Sequence, residues 1–289
     1  MDKDKEQRKV EKSTEEHHPH DKGYKKIFSV KKNFLDFIQK YVALDWMKNL
    51  TVDDIEVVNK EFVTDQFDTY ESDIVYKIRV REWEQEAPGQ TDHIDQYVYI
   101  FFLQEMQSSM DFTMPFRLLV YMTSIWMDYF RNTDKNRRKQ KSFRLPPIIP
   151  LVLYNGAGSW TAERQFKNVV SFSDKLNGYV CNFAYILVDV SKLDVELIEK
   201  DNRLIDDILL ADQLRVKKDW MENIVKISRR AMELSTEDQN AWKNWWEHVF
   251  SFLDEQTKEE FWRMFEKGED RMCSGLEQAF LAERAEGRQ

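Results

Sequence analysis

Two almost uninterrupted apolar runs constrain the fold of this chain more than any other feature. They are DQYVYIFFLQEMQ at 95–107 and LPPIIPLVLYNG at 145–156, and MPFRLLVYMTSIWMDYFRN at 114–132 lies between them with helical periodicity. A strand without polar alternation is buried on both faces, and strands joined through helices form a sheet that is covered on both sides. We therefore predict an α/β fold with a mixed central β-sheet flanked by helices.

Shorter patterns complete the predicted sheet. β-branched and aromatic residues indicate further strands, at 55–67, 72–83 and 179–190. The strands at 72–83 and 95–107 are separated only by a polar stretch with a Pro-Gly pair, so we expect them to form an antiparallel hairpin. Cys181 falls inside the last predicted strand, where a lone cysteine is typically a small core residue.

The remaining patterns are helical. Apolar residues recur at helical spacing from Lys25 to Trp46, and the chain reads as helical from residue 191 to its end. The Trp-rich pattern of this region predicts packing inside the protein, and it comprises Trp242, Trp245, Trp246 and Phe250. We expect three parts, namely a disordered charged tail at 1–20, a core domain at 21–190 and a helical C-terminal region at 191–289.

Composition excludes several classes of protein. The 289 residues contain no apolar run near the roughly 20 residues that a membrane span needs. Only 8 Gly are present, and no Gly-rich fingerprint for a nucleotide cofactor is found. Two distant cysteines, Cys181 and Cys273, suggest a reducing compartment, so a cytoplasmic protein without a membrane partner is predicted.

A local concentration of positive charge stands out against the net charge of −9. The segment RNTDKNRRKQKSFR at 131–144, called the basic segment below, holds seven basic residues and one acid. Such a segment is suited to the backbone of a polyanion, although a solvated surface loop has the same composition. Six of these seven are the residues predicted to contact it, namely Arg131, Arg137, Arg138, Lys139, Lys141 and Arg144.

An acid at the end of a buried strand raises the question of chemistry. Glu105 and Gln107 share one face of their strand because side chains alternate. Antiparallel pairing of the hairpin brings Asp73, near the start of the preceding strand, beside the end that carries Glu105. Two carboxylates and an amide oxygen form an all-oxygen site suited to a hard cation such as Mg²⁺. The alternative is that these acids simply meet water where the strands leave the core.

An ordered set of motifs resembles the Rpn family of recombination-promoting nucleases and transposase-like proteins. The motifs are HDKGYKKIFS, SDIVYKIR, YIFFLQEMQSSMDFTMPFRLLVYMTSIW, LPPIIPLVLYNGAGSW and FAYILVDV, which together span about residues 20–190. The family is similar to the PD-(D/E)XK nucleases, so the resemblance implies a restriction-endonuclease-like core and metal-dependent cleavage of phosphodiester bonds.

The resemblance also implies roles for single residues. Asp73 takes the place of the motif aspartate and Glu105 that of the motif acid, and the backbone carbonyl of Met106 is expected to join them as a metal ligand. Gln107 stands where the superfamily commonly has lysine, so the ammonium charge that stabilises the transition state is missing. The implied cofactor is Mg²⁺, with Mn²⁺ or Ca²⁺ as substitutes.

Further residues match the family outside this cluster. Arg117 and Tyr121 lie four residues apart on one helix face, where they are expected to contact phosphate and to order water or DNA; a polar pair on a surface-turned face is the alternative. Asp21 also matches a motif, although helix capping explains it as well. The expected basic loop, comprising the residues named above, would lie beside the site and engage the DNA backbone.

These patterns predict a Mg²⁺-dependent DNA endonuclease linked to recombination or mobile elements, with DNA as its partner and a homodimer as a further option. A catalytically silent regulator that binds DNA or protein and retains the nuclease fold is the alternative, favoured by the acidic net charge and by Gln107.

Overall fold

The computed structural model describes residues 19–58, 74–81, 97–105, 111–156, 158–176, 178–215, 220–251 and 253–267. The strands are β1 (Ile55–Val58), β2 (Ile74–Arg79), β3 (Tyr97–Glu105), β4 (Ile148–Tyr154) and β5 (Ile186–Asp189). The α-helices are α1 (Pro19–Phe28), α2 (Lys31–Phe37), α3 (Met114–Asn132), α4 (Lys135–Arg138), α5 (Val195–Glu199), α6 (Leu204–Arg215), α7 (Trp220–Ala231), α8 (Thr236–Val249) and α9 (Glu255–Lys267).

The strands form one five-stranded mixed sheet in the order β1-β2-β3-β4-β5. β1, β2 and β3 are antiparallel neighbours, which confirms the predicted hairpin, and β3, β4 and β5 are parallel. Parallel neighbours need a crossover connection, and α3 supplies it between β3 and β4. The prediction of an α/β fold with a mixed sheet flanked by helices is confirmed.

Each side of the sheet has its own hydrophobic core, because side chains of β3 alternate between them. Ile100 and Phe102 join a large first core with α1, α2 and helices of the C-terminal region. Phe101 and Leu103 join a smaller second core with α3 and the segment around Trp160. The C-terminal helices therefore share a core with the sheet.

The Trp-rich pattern was interpreted correctly. Trp242, Trp245, Trp246 and Phe250 are all buried in the first core. The ring of Trp246 stacks on Phe261 of α9 with 4.3 Å between centroids, which fastens α8 to α9. No helix among the described residues has the length and apolar character needed to cross a membrane.

Two predicted elements differ from the structure. The helical pattern at 25–46 is interrupted: α1 ends at Phe28, α2 follows from Lys31, and a π-helical turn covers Ile38–Val42. The predicted strand at 179–190 pairs with the sheet only at Ile186–Asp189, because the preceding residues run outside the ladder except for a single bridge at Ala184. Cys181 is consequently exposed, and its assignment to the core was wrong.

Candidate active site

The three parallel strands end together at one edge of the sheet. Glu105 of β3 is in register with Tyr154 of β4, and Tyr154 is in register with Asp189 of β5. The alternation of β3 puts position 105 on the same side as Phe101 and Leu103, which is the side of the second core. In open α/β sheets, ligands bind outside the carboxyl ends of parallel strands, so this edge is the expected position of a site.

The predicted metal site falls only partly within the described residues. Ile74 pairs with Phe102, and β3 continues for three further residues to Glu105. Asp73, Met106 and Gln107 lie outside the described residues, and of Glu105 the structure gives the backbone only. The convergence of Asp73 and Glu105 therefore stays a prediction.

The alternative interpretation, that Arg117 and Tyr121 form a polar pair on a surface-turned helix face, is wrong. Arg117 is only 8 % exposed, and its Nη1 atom lies 2.7 Å from Oδ2 of Asp111 in an ion pair. Tyr121 is buried, and its ring stacks on Phe101 with 4.5 Å between centroids. Both residues thus belong to the packed layer between α3 and the sheet.

Asp111 organises the turn that leads into α3. Its Oδ1 atom accepts hydrogen bonds from the backbone N–H of Thr113 at 2.7 Å and from the Thr113 hydroxyl at 2.6 Å. Burial alone would raise the pKa of Asp111, but the hydrogen bonds from Arg117 and Thr113 outweigh burial and hold that pKa below its ordinary value. Asp111 is therefore a fixed anion that holds the Arg117 guanidinium.

An aromatic cluster covers the second-core side of the strand ends. The ring of Trp160 meets Tyr154 edge-on at 4.9 Å, and its indole N–H donates to the Tyr185 hydroxyl at 2.9 Å. The same hydroxyl donates to the backbone carbonyl of Glu163 at 2.9 Å. Burial raises the pKa of Tyr185 to about 12 despite the Trp160 hydrogen bond, so this phenol stays protonated at neutral pH.

Gly156 is required by the close approach of the chain to Tyr154. A Cβ atom at position 156 would overlap the phenol ring of Tyr154, whereas one at Gly158 would lie 4.0 Å from the nearest atom. The Tyr-x-Gly end of the motif PLVLYNG at 150–156 thus has a packing reason.

Asn155 turns to the opposite side of the sheet and meets residues far away in sequence. Its Nδ2 atom donates to Oδ2 of Asp212 at 2.5 Å, and the Tyr24 hydroxyl donates to the same oxygen. Asp212 is 2 % exposed within α6. Two of the motifs, those with Tyr24 and Asn155, therefore converge on a buried carboxylate that the sequence did not single out. Its only signal was an acid inside the apolar run ILLADQL.

Asp189 is a second acid at this edge, and no spacing in the sequence marks it. It is 7 % exposed and accepts hydrogen bonds from the backbone N–H and the hydroxyl of Ser191 at 3.2 and 2.6 Å. Lys192 lies 2.9 Å from its other oxygen. These partners make it the cap of the 3₁₀ turn Val190–Lys192, which ends β5.

The basic segment does not lie beside this edge within one chain, which corrects the expected arrangement. α3 has 19 residues and so carries the chain roughly 28 Å away from Arg117's end before the segment begins. The segment then leads into β4, whose first residue Ile148 pairs with Tyr99 at the opposite end of β3. It contains α4, capped by Asp134, and the Arg138 guanidinium lies 4.6 Å from the Phe130 ring. Its binding of DNA stays a prediction.

Asp21 lies within α1, since the described part of that helix starts at Pro19. The alternative explanation of Asp21 as a helix cap is therefore wrong, and its side chain is not among those described.

The donor chemistry of the predicted site fits a hard cation. Among the described residues, no group of three or more His, Cys, Asp or Glu side chains is placed to hold a metal. At the described edge, position 105 is in register with Tyr154 of β4, which is buried in the second core, so this strand end is held on a packed element. Carboxylates from positions 73 and 105 and a backbone carbonyl would complete an oxygen-only donor set.

Comparison with known proteins agrees with the motifs. A family model described as "Putative transposase, YhgA-like" matches residues 18–242. The chain belongs to this family. Recombination-promoting nuclease RpnD of Escherichia coli O157:H7 is 26 % identical over 218 residues, which cover 68 % of this chain and 73 % of RpnD. The resemblance to the Rpn family is thereby confirmed. No solved structure matches the chain.

Proposed function

We propose that this protein is a metal-dependent DNA endonuclease that acts in recombination or in the movement of genetic elements. The observation that carries the proposal is the placement of Glu105 on the central strand β3, at the carboxyl edge shared by three parallel strands. Membership of the YhgA-like family and the name of the RpnD relative support the same conclusion. A PD-(D/E)XK-type mechanism with Mg²⁺ is the specific form that we infer.

The proposed metal ligands are Asp73, Glu105 and the carbonyl of Met106. The described register begins with Ile74 opposite Phe102. We infer that the pairing extends by one residue, which would set position 73 opposite Leu103, on the side where position 105 also lies. Bound Mg²⁺ supplies positive charge next to the scissile phosphate and lowers the pKa of a water molecule. Mn²⁺ and Ca²⁺ are the substitutes to test.

Gln107 is proposed to orient the attacking water. It falls on the same strand face as Glu105 in sequence alternation. Its amide can donate and accept hydrogen bonds, but it is neutral and cannot act as a base at neutral pH. The charge that the superfamily's lysine would supply must therefore come from other cations.

Arg117 is proposed to be a positioning residue. Its burial and its ion pair with Asp111 leave the guanidinium fixed between α3 and the turn at 111–113. That turn follows Glu105 by six residues, so Arg117 stabilises the chain just after the proposed ligands. This role differs from the direct phosphate contact that its motif implied, and Tyr121 likewise acts through its packing on Phe101.

The test is a cleavage assay on plasmid DNA with Mg²⁺, with Mn²⁺ and with EDTA. We expect wild-type protein to cleave only with a divalent ion and Glu105→Ala to be inactive. The matched control is Glu56→Ala, since Glu56 is an exposed strand residue whose only described ion pair is with Lys77 at 3.7 Å. Loss of cleavage in both variants, or cleavage by Glu105→Ala, contradicts the assignment.

A catalytically silent regulator is the second candidate, favoured by Gln107 and by the net charge of −9. Thermal denaturation separates the two proposals. If Mg²⁺ raises the melting temperature, if Asp73→Ala removes that rise, and if no DNA is cut under any condition, the fold binds metal without catalysis.

A further inference from the structure

Helix α3 is apolar on more sides than its single packed face explains. Residues 118–127 contain no charged side chain. Leu118, Tyr121 and Ile125 are buried against the sheet, yet the opposite side of the helix is also apolar. A helix that is hydrophobic all round is normally buried on all sides, so the outer face of α3 is suited to a protein partner.

The exposed residues of α3 follow the spacing of a helix–helix contact. Together with the half-buried Val120, the exposed Phe116, Thr123, Met127 and Phe130 form an outer stripe whose members are separated alternately by four and three residues. Phe116 is 56 % exposed, Met127 51 % and Phe130 40 %. Alternating spacing of this kind is the seam of a two-helix contact, and it extends over roughly 21 Å of α3. The stripe therefore fits another helix better than it fits a flat surface or a nucleic acid.

Charge favours a second copy of this chain in antiparallel orientation. One end of α3 follows the strand end that carries Glu105, with Asp111 already paired to Arg117, and the other end leads into the basic segment. A parallel pair would bring two basic segments together, whereas an antiparallel pair sets each basic segment beside the acidic end of the partner. The dipoles of two neighbouring helices also attract each other in an antiparallel pair and repel each other in a parallel pair.

We propose that two copies associate through the outer stripe of α3 about a twofold axis. In the antiparallel register that matches the seam, Phe116 faces the partner's Met127 and Val120 faces the partner's Thr123. The exposed Phe112 and the loop with Phe172, which follows the 3₁₀ turn Phe166–Val169, enlarge the apolar surface on this side of the sheet. A stable dimer buries about 800 Å² on each partner, so these flanking residues are expected to take part in the contact beside the stripe.

The arrangement gives the basic segment a place in the reaction. Within one chain it lies roughly 28 Å from the start of α3, at the opposite end of the sheet from Glu105. In the antiparallel dimer it reaches the edge of the other copy, where Glu105 lies. This part of the inference rests on the proposed nuclease function, while the dimer itself does not.

The first experiment measures the mass of the full chain by light scattering after gel filtration. We expect twice 34.9 kDa for the wild type and 34.9 kDa for Met127→Glu, with self-association weakened by about 100-fold or more because the dimer buries the new charge. The matched control is Met232→Glu, which changes an exposed methionine (37 %) in the turn after α7 and should remain dimeric. A monomeric wild type, including one whose stripe is covered by another segment of its own chain, overturns the proposal. So does a dimeric Met127→Glu.

The second experiment tests the orientation by oxidative crosslinking. Both proteins carry Cys181→Ser and Cys273→Ser; one has Phe116→Cys with a purification tag and the other has Met127→Cys without it. A mild thiol oxidant should join the two different proteins, because position 116 faces position 127 of the partner. Disulfides that form only between identical proteins would show a parallel pair and refute the antiparallel arrangement.

The third experiment tests action across the dimer. One protein carries Glu105→Ala with an intact basic segment, and the other keeps Glu105 but has Arg137, Arg138, Lys139 and Lys141 changed to Gln. Each alone should cleave DNA poorly, and their mixture should recover about a quarter or more of the wild-type rate, because a mixed dimer has one complete site. A dimer by light scattering without this recovery refutes the shared site but not the dimer. Absence of cleavage by the wild type refutes the proposed function and leaves the first two experiments decisive for the dimer.

Discussion

The buried ion pair between Asp207 and Arg230 predicts an unusual dependence of stability on pH. Asp207 is fully buried in α6, and its Oδ1 atom accepts a hydrogen bond from Nε of Arg230 at 2.8 Å. The other guanidinium nitrogens donate to the backbone carbonyls of Glu199 and Asp201 at 3.1 and 2.8 Å. Burial nevertheless raises the pKa of Asp207 from 3.8 to about 6, so removal from water outweighs the attraction of Arg230.

The sign and size of the effect follow from linkage. The folded-state pKa lies above the unfolded one, so the folded protein binds more protons between the two values, and the free energy of unfolding falls as pH rises. The contribution is fully present below pH 3.8 and is lost as pH passes through about 6. At about 1.4 kcal/mol for each pH unit, the rise in pKa corresponds to roughly 3 kcal/mol.

The perturbation is Asp207→Asn, which keeps the shape of the side chain and removes its titration. Urea denaturation at several pH values from 4 to 7 gives the free energy of unfolding of both proteins. We expect the wild type to lose about 2.4 kcal/mol relative to the Asn variant over this range, because part of the full ~3 kcal/mol is lost below pH 4. Loss of the Arg230 ion pair adds an offset that does not depend on the titration of residue 207.

A control with the opposite sign strengthens the test. Asp254 caps α9, and hydrogen bonds from the backbone N–H and hydroxyl of Thr257 lower its pKa although burial opposes them. Its contribution to stability is present above its ordinary pKa and is lost as pH falls. For Asp254→Asn we therefore expect the difference from wild type to shrink towards acid. A difference between wild type and Asp207→Asn that is constant with pH, or that favours the wild type as pH rises, would falsify the reasoning.

Three further results are expected. Gln107→Ala should lower the cleavage rate by about 10–100-fold in a single-turnover assay, and Gln107→Lys should retain measurable cleavage. A water-orienting role is refuted if Gln107→Ala is fully active. It is also refuted if Gln107→Lys folds and binds metal but is completely inactive. Neutralising four cations of the basic segment should weaken DNA binding and reduce its salt dependence by a few units of slope, and unchanged binding isotherms would show a merely solubilising surface. Gly156→Ala should lower the free energy of unfolding by about 1–3 kcal/mol in urea, because the new methyl group displaces the Tyr154 ring, while Gly158→Ala serves as the control and should be near neutral.

Local sequence patterns predicted the type and position of a helix or strand correctly where the residues of that element alone determine them. Helix α3 begins and ends where its periodicity does, with Pro115 in the first turn, and the apolar strands β3 and β4 fall inside their predicted ranges. The hairpin of β2 and β3 also follows from sequence, since only a short polar stretch separates them. The helical period decides α3, whereas short continuous apolar runs flanked by polar or turn residues decide β3 and β4.

Local patterns failed where burial depends on distant partners. Residues 179–185 have strand-like composition, but a strand exists only where a neighbour offers a ladder, and β4 pairs only with Ile186–Asp189. Cys181 is exposed for the same reason. The hydrophobic residues around Cys181 do not indicate where the pairing of the sheet ends.

The sequence alone determined the fold class, the family and the acids and amide proposed for catalysis, because motifs and periodicity are local properties of the chain. The tertiary structure decided how separate segments meet. It brought Tyr24 and Asn155 onto Asp212, buried Arg117 against Asp111, and set the basic segment at the far end of α3 from Glu105. The physical reason is that the crossover between parallel strands returns the chain to the end of the sheet where those strands begin. Amino-acid composition alone does not reveal this return.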